Sequence, residues 1–108
     1  MAGSGVTYEI TATVQQDLRE EYERYMRTRH IPELLATGAF SGASFVRSSP
    51  GRYRIRYEAL SRETLDEYLA KYAPELREHF TAKFPEGIEL SREEWDVVEQ
   101  WPAEIGKK

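Results

Sequence analysis

The sequence contains no cysteine among its 108 residues, and only two histidines. Without cysteine the chain cannot form disulfides, a thiol nucleophile, an iron–sulfur cluster or a cysteine-based zinc site. Two histidines cannot form an all-histidine metal site within one chain. We therefore expect no metal and no cofactor, and the missing cysteine also favours a cytoplasmic location.

Other absences narrow the range of functions. No apolar run approaches the ~20 residues of a membrane span, and no basic, then apolar, secretory signal begins the chain. The chain is mildly acidic, with 15 Lys+Arg against 19 Asp+Glu, whereas proteins that bind nucleic acid normally have a basic surface. The sequence has neither a phosphate-binding glycine-rich loop nor a Gly-x-Ser-x-Gly elbow. These features predict no nucleic-acid or membrane partner, and they leave the reaction undefined.

The length fits one domain, since 108 residues leave no room for a second core of ordinary size. Hydrophobic residues make up 40% of the chain and charged residues 31%, which is typical of a folded globular protein. We expect residues 1–5 to be a disordered lead, residues 6–101 to form the domain, and residues 102–108 to be a flexible tail.

The first half of the domain begins with a strand and a helix. Residues 7–14 alternate between apolar and polar side chains, which predicts a strand with one buried face. A helix is expected to begin at Asp17. Because Pro32 disfavours helical backbone in the residue before it, we expect this helix to break or kink near residues 29–31, with a short second turn ending at Gly38.

The second half supplies three more strands and another helix. Residues 40–47 and 52–59 form a predicted hairpin around a Pro-Gly turn, and Ser61 is positioned to cap a helix. Residues 92–100 fit a strand by propensity, although Ser91-Arg92-Glu93-Glu94 also matches a helix capping box. The order βαββαβ requires a fourth strand there, so we predict a ferredoxin-like α+β fold with a four-stranded antiparallel sheet.

One face of the predicted sheet is polar. The first and third strands are neighbours in this topology, so Glu9 and Thr11 should lie beside Arg54 and Arg56 and form cross-strand charge pairs. This face is either exposed to water or closed against the same face of a second subunit, as in a homodimeric α/β barrel. Such an interior could bind a small anion, and we favour a salt-bridged interface over that alternative.

The densest polar segment contains His30 and Glu33. Three residues apart on a continuing helical turn, they would share a face and form an acid/base pair, which makes them catalytic candidates. We favour the alternative that His30 ends the helix, where the helix dipole stabilises a cation. Glu33 would then lie in the first turn of the next helix.

The chain also has seven tyrosines and two tryptophans. Tyr8, Tyr22 and Tyr57 should converge between the sheet and the first helix, where their rings fill the core. Alternatively, their hydroxyls line a cavity and orient an aromatic or oxygenated ligand. We therefore name as ligand-binding candidates Tyr8, Tyr22, Tyr57, Arg54, Arg56 and Trp95.

Two motifs resemble those of a known family. They are His30-Ile31-Pro32-Glu33-Leu34-Leu35-Ala36-Thr37-Gly38, followed by Phe40, and Tyr72-Ala73-Pro74-Glu75-Leu76-Arg77. The chain is similar over Tyr8 to Val98 to a small bacterial family, domain-of-unknown-function family 4286, with Leu34 where valine is usual and Tyr72 where histidine is common. The resemblance implies a ferredoxin-like domain of the dimeric α/β-barrel type. It implies no known activity, so it assigns no catalytic residue.

Three functions fit these observations. The favoured one is a homodimeric small-molecule-binding or accessory protein without catalysis. The second is a cofactor-independent enzyme of the dimeric-barrel type, a small oxygenase or isomerase in which His30 acts as the base. The third is a protein-interaction module that uses the sheet face. A buried pocket reached by His30 would favour the enzyme, and a dry, salt-bridged sheet without a cavity would favour the interaction module.

Overall fold

The computed structural model describes residues 5–102, so nearly all of the expected lead and tail lies outside the described residues. In chain order the elements are β1 (Val6–Val14), a 3-10 turn (Gln16–Leu18), α1 (Arg19–Tyr25), a π-helical turn (Met26–His30), α2 (Ile31–Ala36), β2 (Phe40–Ser49), β3 (Arg52–Ala59), α3 (Arg62–Lys71), α4 (Ala73–Lys83) and β4 (Ile88–Asp96). No helix in this range is long and apolar enough to cross a membrane.

The four strands form one antiparallel sheet in the order β2-β3-β1-β4. This is the predicted ferredoxin-like α+β fold, and it is confirmed. The helices cover one face of the sheet, and the apolar positions of β1 and β3 are buried beneath them. The fully buried side chains on this face include Ala12, Val14, Ile55 and Tyr57. The core therefore lies between the sheet and the helices, as the alternation of β1 and β3 predicts.

The first helix does not break where it was expected to. Backbone angles of φ −63° and ψ −46° keep Ile31 helical, and residues 16–36 form one continuous helical segment. Pro32 lacks an amide hydrogen, and its ring would clash with the carbonyl of Thr28 in a regular α-helix. The wider π turn at Met26–His30 relieves that conflict without ending the helix.

The last strand begins four residues earlier than predicted. It covers Ile88–Asp96 rather than residues 92–100, because it pairs along the whole length of β1. The alternative of a helix capping box is excluded, since residues 91–94 lie inside the strand. The register with β1 determines which β4 side chains face the helices. Leu90 and Arg92 lie opposite helix-facing residues of β1.

Two local signals are confirmed. The hairpin turns at Pro50 and Gly51, where Gly51 has a φ of +82° that only glycine adopts without strain. The Ser61 side chain accepts a hydrogen bond from the amide of Thr64 at 3.0 Å, and the Thr64 hydroxyl accepts one from the amide of Ser61 at 3.0 Å. This reciprocal cap fixes the start of α3.

Candidate functional site

A cavity lies between the helix-facing side of the sheet and the helices. Its free interior volume is about 30 Å³. Its wall combines residues of β1, β3 and β4 with residues of the first helix, α3 and α4. Every structural layer of the domain therefore contributes to this one site.

Four tyrosines form much of the wall: Tyr8, Tyr22, Tyr57 and Tyr68. Within residues 5–102, the buried hydroxyls of Tyr22 and Tyr57 have no hydrogen-bond partner. Burial raises the pKa of both phenols, so they stay protonated and can donate a hydrogen bond. The Tyr8 hydroxyl, in contrast, accepts a hydrogen bond from Arg77 at 2.9 Å.

His30 reaches this wall from the π turn. Four wall residues of the first helix follow each other at a spacing of four: Tyr22, Met26, His30 and Leu34. In a regular α-helix of 3.6 residues per turn this row would drift around the axis. A π turn has more residues per turn, so it brings the row back toward one face. The same irregularity that accommodates Pro32 thus helps to place an imidazole on the cavity wall.

The His30 ring packs in an aromatic environment. Its centroid lies 5.6 Å from that of Phe80 and 5.9 Å from that of Tyr25. Burial lowers the pKa of His30 from its ordinary 6.5 to about 4, and the charge of Arg92 and the proximity of His79 act in the same direction. The imidazole is therefore neutral near pH 7, and its buried Nδ1 has no partner within residues 5–102.

This position corrects the favoured interpretation of His30. The helix continues through His30, so this residue is not a cation that ends a helix. Glu33 is not beside it in the cavity either. Its carboxylate lies on a separate surface groove and approaches Arg29 at 3.7 Å. The structure therefore does not bring the His30–Glu33 acid/base pair together, and the catalytic candidacy of each residue stays a prediction.

Two arginines stand at the mouth of the cavity, Arg77 from α4 and Arg92 from β4. Both residues are exposed, yet their side chains form part of the wall. Sequence reasoning did not single out either one. Arg92 follows Ile88 and Leu90 with the period of two that marks one face of a strand. That signal was hidden because the predicted strand began at Arg92 itself.

The remaining candidates lie on the opposite face of the sheet. Arg54, Arg56 and Trp95 line a shallow depression there. The expected cross-strand pair is present, since Arg56 Nε donates to Glu9 Oε2 at 2.8 Å. The candidate ligand-binding residues therefore fall into two groups that the sheet separates, and only the tyrosines share a cavity with His30. Across residues 5–102, no three histidine, aspartate or glutamate side chains group to hold a metal ion.

The split βαββαβ sheet with helices on one face places the protein in the ferredoxin-like α+β class. The chain belongs to the family described as domain of unknown function DUF4286, whose model matches residues 5–98. This confirms the resemblance seen in the two sequence motifs. No curated protein shows significant sequence similarity to the chain.

Solved structures share the fold. A mutant of SnoaB, a cofactor-independent oxygenase from Streptomyces nogalater, matches with a TM-score of 0.76 at 17% identity, over 93% of this chain and 99% of that chain. The heme-degrader MhuD from Mycobacterium tuberculosis, with two hemes bound in its active site, matches with a TM-score of 0.67 at 18% identity, over 90% and 99%. A dimeric ferredoxin-like protein from an uncultured marine organism matches with a TM-score of 0.62 at 15% identity, over 91% and 99%. At these identities the similarity establishes the fold alone.

Proposed function

We propose that this protein binds a small aromatic molecule bearing hydroxyl or carbonyl oxygens in the cavity beside His30. One observation carries the proposal. Three buried polar atoms without a partner within residues 5–102 belong to the wall of this cavity: the hydroxyls of Tyr22 and Tyr57 and Nδ1 of His30. An unpaired buried polar group costs about 1–3 kcal/mol. A ligand with matching oxygens would remove that cost at all three atoms.

The rest of the wall supports an aromatic ligand. Tyr68 and Phe80 present rings, and Ile55 and Leu34 present aliphatic side chains. Aromatic rings stabilise one another in offset and edge-to-face arrangements, and an apolar wall with few polar groups is the usual composition of a ligand site. The free interior of about 30 Å³ has room for only a water molecule or two, so wall side chains must move to admit a ring.

The test uses salicylamide, a neutral single-ring phenol, in calorimetric titrations and thermal-shift measurements. A ligand that binds only the folded state raises the melting temperature. We expect Tyr57→Phe and Tyr22→Phe each to weaken binding by about tenfold, the effect of losing one hydrogen bond. Tyr72→Phe is the matched control, because Tyr72 lies outside the cavity wall. Equal binding by all four proteins, or no binding at all, would overturn the proposal.

A second candidate function is a cofactor-independent enzyme, a small oxygenase or isomerase. The observation that favours it is a neutral imidazole with a free nitrogen on the wall of a cavity that also holds Arg92. His30 Nδ1 can accept a proton from a phenol or enol, and the arginine stabilises the anion that remains. The description of SnoaB as a cofactor-independent oxygenase agrees with this chemistry.

The enzyme is tested by measuring oxygen uptake, and separately isomerisation, with hydroxylated aromatic compounds and no added flavin, metal or haem. His30→Ala should fold normally and lose turnover. His79→Ala is the control, because His79 is an exposed histidine on α4. Wild-type binding without turnover would leave the non-catalytic ligand-binding or accessory function.

We also propose that two copies associate through the polar face of the sheet. Arginines follow one another along β3 at positions 52, 54 and 56, and the edge strand β4 carries Glu89 and Glu93. A two-fold arrangement that places the acidic edge of one copy over the arginines of the other pairs these charges. The description of a structural neighbour as a dimeric ferredoxin-like protein supports association into a dimer.

Sedimentation at micromolar concentration tests the dimer. We expect a dimer for the wild type and a monomer for Arg54→Glu, which places like charges in the interface. A wild-type monomer would overturn the proposal and favour a protein-interaction module that uses this face. The cytoplasmic location, and the expectation of no nucleic-acid or membrane partner, stay predictions.

A further inference from the structure

We propose that the ligand of the cavity is an aromatic carboxylate, and that Arg77 and Arg92 bind its negative charge at the cavity mouth. This inference rests on the proposed ligand-binding function and narrows that function to one charge class. Neither arginine was a candidate by sequence. Both belong to the cavity wall, and neither forms an ion pair within residues 5–102.

The charge of the cavity wall is unbalanced. Among the described residues that form it are two arginines and one histidine, but no aspartate and no glutamate. The protein as a whole carries a net charge of −4, so a wall with only basic charge runs against the overall composition. Positive charge beside low-dielectric walls attracts and concentrates anions.

Arg92 has no ion pair within residues 5–102, although acidic residues lie close along the same strand. Of the acids on this strand, Glu94 and Asp96 are bound to another cation. Arg62 binds Glu94 at 2.7 Å and Asp96 at 3.3 Å, so the helix-facing acid of β4 nearest to the cavity already has a cation. Among the described residues, the Arg92 guanidinium thus has no acidic partner, and it lies on the side of the sheet that faces the cavity.

Arg77 is held at the mouth by a neutral partner. Its Nη2 donates to the hydroxyl of Tyr8 at 2.9 Å, and it forms no ion pair within residues 5–102. A guanidinium has five N–H donors in a planar fork, which suits a carboxylate. The bond to Tyr8 uses one donor and leaves others for a ligand. Tyr8 itself is part of the wall, so it positions Arg77 rather than neutralising it.

The depth of the cavity explains why the anion should be aromatic. The two arginines of the wall are exposed, whereas Tyr22, Tyr57 and Phe80 are buried. A carboxylate bound by the arginines would therefore direct an attached ring toward aromatic side chains. The tyrosine hydroxyls without a partner within residues 5–102 would then be available to a hydroxyl on that ring.

The test compares salicylate with salicylamide, which has the same ring and hydroxyl but carries a neutral amide in place of the carboxylate. Calorimetric titration of the full-length protein at fixed ionic strength should show salicylate binding at least about tenfold more tightly, as expected for charge-assisted hydrogen bonds. Arg77→Gln and Arg92→Gln should each remove most of that preference. Arg24→Gln removes an exposed helical arginine outside the cavity wall and should change neither affinity.

The outcomes separate this inference from the function on which it rests. Equal affinity of the wild type for the two probes would overturn the carboxylate assignment, while salicylamide binding would still support an aromatic ligand in the cavity. A salicylate preference that survives in the double variant Arg77→Gln/Arg92→Gln would also overturn the assignment. Failure of the wild type to bind either probe would overturn both.

Discussion

His30 should make the protein lose stability as the pH falls from near 7 to about 5. Burial and positive neighbours lower the pKa of this imidazole from its ordinary 6.5 to about 4 in the folded protein. Below 6.5 the unfolded chain takes up a proton at His30, while the folded chain stays neutral there. Protonation therefore favours the unfolded state, and stability falls with pH between these two pKa values.

The magnitude follows from the width of that window. Each pH unit between the two pKa values costs about 1.4 kcal/mol in the free energy of unfolding. Between 6.5 and about pH 5 the loss is about 2 kcal/mol, and it levels off only below the folded pKa of about 4. Such a loss is a large fraction of the ~5–15 kcal/mol by which a domain is normally stable.

Urea unfolding near pH 7 and about pH 5 measures this loss in the wild type, His30→Gln and His79→Gln. Carboxylates that titrate over the same range contribute in all three proteins, so their effect cancels in the comparison. The wild type should lose about 2 kcal/mol more than His30→Gln. His79→Gln should lose slightly less than the wild type, because His79 is the smallest of the three causes that lower the pKa of His30. The groups that contribute to the effect are Arg92, His79 and the cavity wall around His30.

An equal loss in all three proteins would refute the reasoning. It would mean that His30 is hydrated and titrates in the folded state much as it does in the unfolded chain. The candidate enzyme would then lose its neutral base, and the cavity would lose one of the three unpartnered polar atoms on which the proposed function depends.

Three further predictions concern the scaffold of the site. Tyr53→Phe removes a hydrogen bond of 2.6 Å to Glu23 that lowers the pKa of that carboxyl; urea unfolding should show a loss of about 1 kcal/mol, and no loss would mean that solvent replaces the bond. Ser61→Ala removes the cap of α3, so thermal unfolding should detect about 1 kcal/mol of destabilisation. A stability equal to that of the wild type would contradict this prediction. Gly87→Ala should destabilise the protein by at least about 1–2 kcal/mol. Gly87 has a φ of +92°, and an added Cβ would lie 2.5 Å from Leu18 Cδ1. A variant as stable as the wild type would contradict this prediction.

The parts of the fold that could be predicted are those that local chemistry controls. The alternation of residues 7–14, the Pro-Gly turn and the Ser61 cap each depend on residues a few positions apart, and all three are present. The end points of β4 could not be predicted in this way. They are determined by pairing with β1, at the other end of the chain, and this pairing extends over the full strand.

The site shows the same division. The sequence identified His30, the tyrosines, Arg54 and Arg56 as polar candidates. It favoured a helix end for His30, with a His30–Glu33 pair on one face as the alternative. The π turn moved the imidazole to the cavity and left the carboxylate on the surface groove. A local rule for Pro32 predicts a conflict with helical geometry, and it does not predict which of several distortions resolves that conflict.

By itself, the sequence determined the ferredoxin-like α+β fold, the polar and apolar faces of the sheet, and the family motifs, because periodicity and motif spacing are written along the chain. Only the tertiary structure decided that Arg77 and Arg92, 15 positions apart, meet at one opening near His30. It also decided which tyrosine hydroxyls find partners. Both facts depend on how distant segments pack around a shared cavity, and no local sequence pattern predicts that packing.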